Sequence, residues 1–479
     1  MMDTSISTTL RLKERFLRST DLKRDFGDAQ ALDGYWLTDF GAKCLRTVTT
    51  GVRIDSGHRA WRLTGDYGTG KSSFALFLAT AMADVGRLPD GLRQKTLRAA
   101  PEITDAGYLP VLIVGSRQSI GVAIVNALHQ SIANAYPRGG AAELLRDLQR
   151  HGKQEKLNDD LVVEIVEEAT KTLVKTGKAK GLLIVLDEVG KFLEYAANSG
   201  GSEDIILLQK LSETASRSKN APIFLICLLH QGFNAYADQL QPTAQREWAK
   251  ISGRMEEITF AQPIEEIFAL TQAALGVQVN TLPHQLKIAA REVMTQAAKV
   301  RWFGASTNVD RLIAHAEGIF PIDAFVFPVL GRLFQRFGQN ERSLFSFIYS
   351  YEPFGLREYA ARPIKECPPY RLHNLYDYTR ANFGHRLAVV SYRSRWAVIE
   401  ATIEGFVAKT DLDMEVLKTV GILNLLDGED LLPSAEVVEW AVGGADRGRR
   451  QATEKCVRQL RERGVLYLRG ANKGFCLWP

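Results

Sequence analysis

Four short apolar runs punctuate the first half of the chain and predict its central sheet. Residues 59–64 (RAWRLT), 109–116 (LPVLIVGS), 181–188 (GLLIVLDE) and 221–230 (APIFLICLLH) each place consecutive hydrophobic positions between polar turns. Runs of this kind, short and without strict alternation, suit parallel strands buried on both faces. A shorter fifth, MEEITF, ends at Phe260. Between the runs lie stretches at helical spacing: 72–85, 121–136, and a charged amphipathic region over 138–180 with Leu161, Val162, Ile165 and Val166 in register. Strand and helix in alternation over this length predict an α/β fold with a mainly parallel sheet.

Beyond Pro263 the pattern is helical to about residue 349. Pro353, Pro363, Pro368 and Pro369 then predict a linker, and helical spacing resumes at about 385 before a terminal hairpin. The expected division is an N-terminal segment (1–58) leading into a core (59–262, with 138–180 as a helical insertion). A helical lid (263–350), a Pro-rich linker (351–384) and a C-terminal helical module (385–479) follow. There is no internal repeat.

Composition changes this picture little. Of 479 residues 46% are hydrophobic and 24% charged, which excludes disordered and fibrous classes. No apolar run approaches the roughly 18 residues a membrane span needs. The first twenty residues lack the apolar core of a secretion signal, so a soluble cytoplasmic protein without membrane attachment is expected. Cys44, Cys227, Cys367, Cys456 and Cys476 show no paired spacing, and the eight His form no HxxxH or HExxH pair. Reduced thiols and no zinc site are the expectation.

The decisive motif is Gly65-Asp66-Tyr67-Gly68-Thr69-Gly70-Lys71-Ser72, a full G-x-x-x-x-G-K-[ST] match between a predicted strand and a predicted helix. Glycines let such a loop curl until its backbone N–H groups face phosphate oxygens, and the following helix adds its positive end. Lys71 would reach the β- and γ-phosphates of ATP, Ser72 would ligate Mg²⁺, and Ser73 follows in the first helical turn. Downstream, five apolar residues end in Asp187-Glu188. An acid there can hold Mg²⁺, and its neighbour can take a proton from attacking water. Asp187 is the expected metal partner and Glu188 the expected general base. Tyr35, ahead of the loop, is a candidate adenine neighbour.

With these motifs the chain resembles the AAA+ ATPases, in their origin-recognition/Cdc6-like or STAND-like branch, over roughly 30–350 and the C-terminus. The resemblance implies a polar sensor ending the strand 221–230, at His230 or Gln231. It implies an arginine directed into a neighbouring subunit, at Arg254 before the last core strand. It also implies a second arginine in the lid, at Arg342 of Gly338-Gln339-Asn340-Glu341-Arg342. A homo-oligomer follows from such a trans-acting arginine. The phrases DEVGKFLEYA (187–196) and FGQNERSLFSFI (337–348) are similar to those of large ATPases from bacterial anti-phage islands of the bacteriophage-exclusion type. That implies a defence context and a partner effector protein.

Charge is informative only by location. The chain carries +5, yet residues 446–473 hold nine basic and three acidic side chains, leaving the remainder at −1. The same region reads as helix (412–426), a short helix capped by Ser434, a basic helix over 447–463 stopped at Gly464, and a hairpin. That order is a winged helix. Val457 and Leu460 are expected inward. Arg449, Arg450, Lys455 and Arg458 are expected outward, with Arg469 and Lys473 on the wing, to contact double-stranded DNA. The leading expectation is an ATP-hydrolysing, DNA-binding AAA+-like protein. The alternative is a slow STAND-like switch whose winged helix contacts a protein.

Overall fold

The predicted strands form because their side chains divide cleanly between two apolar layers. In β3 (Gly181–Asp187), Leu182, Ile184 and Leu186 enter one core cluster while Leu183 and Val185 enter another. The same alternation holds in β4 (Ile223–Leu229), where Ile223, Leu225, Cys227 and Leu229 oppose Phe224, Ile226 and Leu228. Neither strand has an exposed residue, which is why their sequences are apolar throughout. The computed structural model describes residues 5–12, 20–28, 30–65, 69–136, 141–198, 203–230, 253–304, 307–337, 344–363, 369–387, 393–428, 430–470 and 474–477.

By its internal contacts the chain divides into two units, Ser19–Gln262 and Met1–Arg18 with Pro263–Pro479. The first holds a five-stranded parallel sheet made of β1 (Ala60–Thr64), β2 (Tyr108–Val114), β3, β4 and β5 (Glu256–Thr259). Their order is β2-β3-β4-β1-β5, so β4 is inserted between β1 and β3. The register pairs Thr64 with Leu229 and with Thr259, and Val114 with Asp187. The carboxyl ends of all five strands therefore share one edge, where open parallel sheets bind ligands.

One face of the sheet is covered by α1 (Lys71–Ala83) and by the helix Asp39–Thr49, through Phe74, Phe77, Met82, Cys44, Leu45 and Val48. The other is covered by α2 (Ile120–Ala135), α3 (Asp159–Lys175), α4 (Val189–Asn198) and α5 (Glu203–Arg217). The helical stretch between β2 and β3 is thus a structural layer, with Val162, Val166 and Leu173 of α3 in the core.

In the second unit a single apolar core joins α6 (Ile264–Leu275), α7 (His284–Lys299), α8 (Val326–Phe337), α9 (Leu372–Leu387), α10 (Arg393–Glu404), α11 (Asp411–Leu426), α12 (Ala435–Gly443) and α13 (Arg447–Glu462). Two expectations change here. Residues 5–12 do not lead into the sheet: Ile6 and Leu10 are buried in this helical core, and the Arg11 N–H donates to the Leu275 carbonyl at 3.0 Å. The segment 351–384 is not a linker, because Tyr370, Leu372, Leu375, Tyr376 and Tyr378 are all buried. Pro353, Pro363 and Pro369 all precede α9, and proline marked breaks in the chain there without marking exposure.

α9 also carries a buried histidine. His373 lies close to the charges of Arg371, Lys418 and Arg449, and burial together with those cations holds its pKa down at about 3. The folded protein therefore refuses a proton that the unfolded chain accepts below its ordinary value near 6.5. Stability should fall as pH drops below that value, and this one residue contributes about 2 kcal/mol of loss between pH 7 and 5. In chemical denaturation at both pH values, His373→Gln should lose that much less stability than the wild type on acidification. Equal losses would contradict the assignment.

Candidate functional site

At the carboxyl edge of the sheet, β1 leads into the glycine-rich segment. Gly65 donates its N–H to the Leu229 carbonyl at 3.2 Å, and Gly70 takes φ +90° immediately before α1. A left-handed residue there turns the chain sharply into the helix, which favours glycine. No side chain caps α1, so its first N–H groups point out of the helix toward the loop. Lys71 is only 3% exposed, and its Nζ donates to the Gly65 carbonyl at 2.6 Å and to Thr69 Oγ1 at 3.4 Å. The ammonium thus bridges the two ends of the loop. Asp66, Tyr67 and Gly68 lie outside the described residues. The Ser73 hydroxyl is hydrogen-bonded to Thr20 Oγ1 at 2.8 Å.

Two strands away, Asp187 ends β3 almost fully buried. Its Oδ1 accepts the Glu188 N–H at 2.8 Å, and its carboxylate is hydrogen-bonded to the Ser72 side chain. Burial pushes the Asp187 pKa up, and the Ser72 hydroxyl, the Glu188 N–H and the Lys71 charge offset part of that rise. A hydroxyl and a carboxylate in contact form the hard oxygen donor set that Mg²⁺ takes.

Glu188 follows with φ +51°, an uncommon value for a residue with a side chain. Gly115, just after β2, lies so close that an added Cβ would stand 2.3 Å from the Glu188 carbonyl oxygen. The Glu188 side chain forms an ion pair with Lys191 in the first turn of α4. His230 lies just beyond β4. Burial, then the charges of Lys71 and Lys191, lowers its pKa to about 3, so its ring is neutral near pH 7.

The structure therefore gathers Lys71, Ser72, Asp187, Glu188 and His230 at one sheet edge, and adds Lys191. The sequence offered a signal for that lysine, a Glu-x-x-Lys spacing opening a helix. Gln231 and Arg342 lie outside the described residues. Arg254 is ion-paired within the same chain, to Glu213 of α5. The Tyr35 ring stacks on Phe77 at 5.0 Å and 17°, so that ring is already occupied by the core beneath α1.

The basic C-terminal region also takes shape. Thr410, Ser434 and Asp446 cap α11, α12 and α13 with their side chains. Gly464, at φ +73°, ends α13, and an antiparallel hairpin of β6 (Leu466–Leu468) and β7 (Phe475–Leu477) follows. Val457 and Leu460 are buried as expected.

Two expected outward arginines are turned inward. Arg449 pairs with Glu415 of α11 and donates from Nε to the Val442 carbonyl at 3.3 Å. Arg450, with its side chain 14% exposed, stacks on Trp440 at 3.9 Å and donates to the Gly444 carbonyl at 2.8 Å. They sit where the first turn of α13 meets the end of α12, and a long cationic stem fills that junction while its head finds carbonyls and acids. Lys455 and Arg458 do face solvent, together with Arg447. Arg458 pairs with Glu454 at 3.1 Å, and Arg469 on the hairpin pairs with Asp427 at 3.3 Å. Lys473 lies outside the described residues. Arg447 was not expected among the outward cations because the sequence alone does not set the helix's rotation.

No protein-family model matches the chain, and no curated protein matches it. Among solved structures it is similar to the ORC2 protein of Aeropyrum pernix, solved as ADPNP and ADP complexes. The identity is 14%, covering 98% of this chain and 94% of that one, with a TM-score of 0.31. A likeness at that score carries no argument about chemistry. No helix among the described residues is long and apolar enough to cross a membrane.

Proposed function

We propose that this protein is an ATP-hydrolysing, AAA+-like enzyme that binds double-stranded DNA through a C-terminal winged helix. The observation that supports it most is the convergence of Lys71, the Ser72–Asp187 pair and Glu188 at the carboxyl edge of the sheet. Lys71 and the uncapped start of α1 bind the phosphates of ATP, which become the charge-bearing groups in phosphoryl transfer. Ser72 and Asp187 supply the oxygens that hold Mg²⁺, which when bound neutralises charge on the phosphates. Glu188 accepts a proton from water as the water oxygen attacks the γ-phosphorus, and the bond to the bridging oxygen breaks to leave ADP and phosphate.

The reading extends to assembly. Arg254 stabilises the transferring phosphoryl group of a neighbouring copy, which makes turnover depend on a homo-oligomer. Arg447, Lys455, Arg458 and Arg469 hold DNA phosphates on α13 and the hairpin. The proposed setting is cytoplasmic anti-phage defence, with a partner effector protein performing the terminal chemistry.

Two contacts favour a second reading, a slow switch whose winged helix engages a protein. Glu188 is held by Lys191, and Arg254 by Glu213. Both groups needed for turnover are engaged elsewhere in the resting chain.

Phosphate release with and without duplex DNA separates the two. Under the first reading DNA stimulates turnover, and Glu188→Gln binds ATP while losing about 100-fold in rate. Under the second, wild-type turnover is at background and DNA leaves it there.

A further inference from the structure

Among the described residues, the sheet edge contains a charged group that the proposed chemistry does not use. Lys191 lies in the first turn of α4, and its ammonium meets the Glu188 carboxylate. The pair is short-range and anchored, since the Lys191 N–H also donates to the Glu188 carbonyl at 3.0 Å. The Glu188 backbone is itself fixed, by φ +51° and by the close approach of Gly115. What can change is therefore the partner of the side chain rather than the course of the chain.

Lys191 also shares its surroundings with the lysine of the glycine-rich loop. Its charge and that of Lys71 both lower the pKa of half-buried His230 at the end of β4, so the two ammonium groups lie within electrostatic reach of one ring. Lys71 is committed to the loop through Gly65 and Thr69. The Lys191 side chain is 45% exposed and, among the described residues, pairs with one carboxylate that is itself 22% exposed. A pair this exposed is weak and easily exchanged for a more highly charged anion.

We infer that Lys191 is a positioning residue that holds Glu188 in the resting protein and exchanges it for the γ-phosphate when ATP binds. The inference rests on the proposed ATPase reading and adds to it a ligand-operated latch. ADP, lacking the γ-phosphate, leaves the pair intact. ATP supplies three additional anionic oxygens, draws the ammonium away, and leaves the Glu188 carboxylate open to water. The latch therefore couples the identity of the bound nucleotide to the readiness of the base.

The test compares Lys191→Gln and Lys191→Arg with wild type and Lys71→Ala in the full chain. It uses steady-state phosphate release without DNA, and equilibrium titration of fluorescent ATP and ADP analogues. Lys191→Gln should raise kcat about 2- to 5-fold, because the restraint is gone, and should raise KM by a similar factor. It should weaken the ATP analogue about 3-fold or more relative to the ADP analogue, a preference the wild type holds through the γ-phosphate contact. Lys191→Arg, which retains the charge, should fall back toward wild type in both measurements.

A merely structural lysine would give equal losses for ATP and ADP and no rise in kcat, and that result overturns the latch. A fall in kcat with Lys191→Gln also overturns it. Failure of the underlying reading looks different. If wild type binds ATP but turns none over, hydrolysis is lost as a function while the ATP-to-ADP ratio still decides the latch. If wild type binds neither nucleotide, or Lys71→Ala binds both as well as wild type does, the site itself is misassigned and the latch falls with it.

Discussion

Lys71→Ala should abolish turnover, with phosphate release falling about 100- to 1000-fold and ATP binding weakening in parallel. The size of the effect follows from where the ammonium lies. It is almost wholly buried beneath the loop, so its field is little screened by water. Its Nζ is held by the Gly65 carbonyl and the Thr69 hydroxyl, and its charge also acts on the Asp187 carboxylate. A phosphate arriving there meets a cation already held in place at the loop, which stabilises charge developing in phosphoryl transfer at little reorganisation cost. Circular dichroism should show the fold retained, because α1 owes its place to Phe74, Phe77 and Met82 rather than to Lys71.

Gly115→Ala provides a second arm. The nearest atoms its Cβ would meet all belong to Glu188, so nucleotide affinity should persist while kcat falls. Loss of binding in Gly115→Ala, or full turnover in Lys71→Ala, would contradict the assignment of roles.

The strands and the glycine-rich loop were legible because each depends on local constraints. A strand buried on both faces must be apolar throughout, and β3 and β4 are. The loop needs residue types at fixed spacing, and Gly65, Gly70, Lys71 and Ser72 lie within eight consecutive residues.

What the sequence concealed depends on rotation and on distant partners. Lys191 faces Glu188 only because the chain turns at a positive φ between β3 and α4. Arg449 and Arg450 looked like surface cations because a basic run carries no mark of which members a neighbouring helix claims. Glu415, Trp440 and the Val442 carbonyl, from α11 and α12, claim these two. Residues 351–384 misled for a related reason. Pro353, Pro363 and Pro369 do lie outside helices, but aromatic residues at 370, 376 and 378 fill a core assembled from elements far apart in sequence. Ile6 and Leu10 belong to that same core although more than 250 residues separate them from α6.

The inward arginines lead to the other large expected effect. Reversing Arg447, Lys455 and Arg458 together to Glu should weaken duplex DNA binding about 100-fold or more at about 0.1 M salt. Positions 447, 451, 455 and 458 are all exposed, and helical periodicity sets them along one face of α13. If each cation neutralises one phosphate, the slope of log affinity against log salt should fall by about three, since each contact releases close to one counterion. The loss should be similar for unrelated duplex sequences, because phosphate contacts position a protein without reading bases.

Arg450→Ala makes the contrast. That side chain is bound to Trp440 and the Gly444 carbonyl, and its loss should destabilise the unit by about 1–3 kcal/mol while leaving the salt slope unchanged. Arg449→Ala should behave alike, because it leaves Glu415 without its partner. The decisive comparison is the slope in the two classes of variant, measured by fluorescence anisotropy over a salt series well below each variant's unfolding temperature. A slope that falls for Arg450→Ala and stays for the triple reversal would mean that DNA meets the α12–α13 junction instead. No change in either, with wild-type affinity intact, would remove DNA binding from α13 altogether and leave the basic helix as a surface for an acidic protein partner.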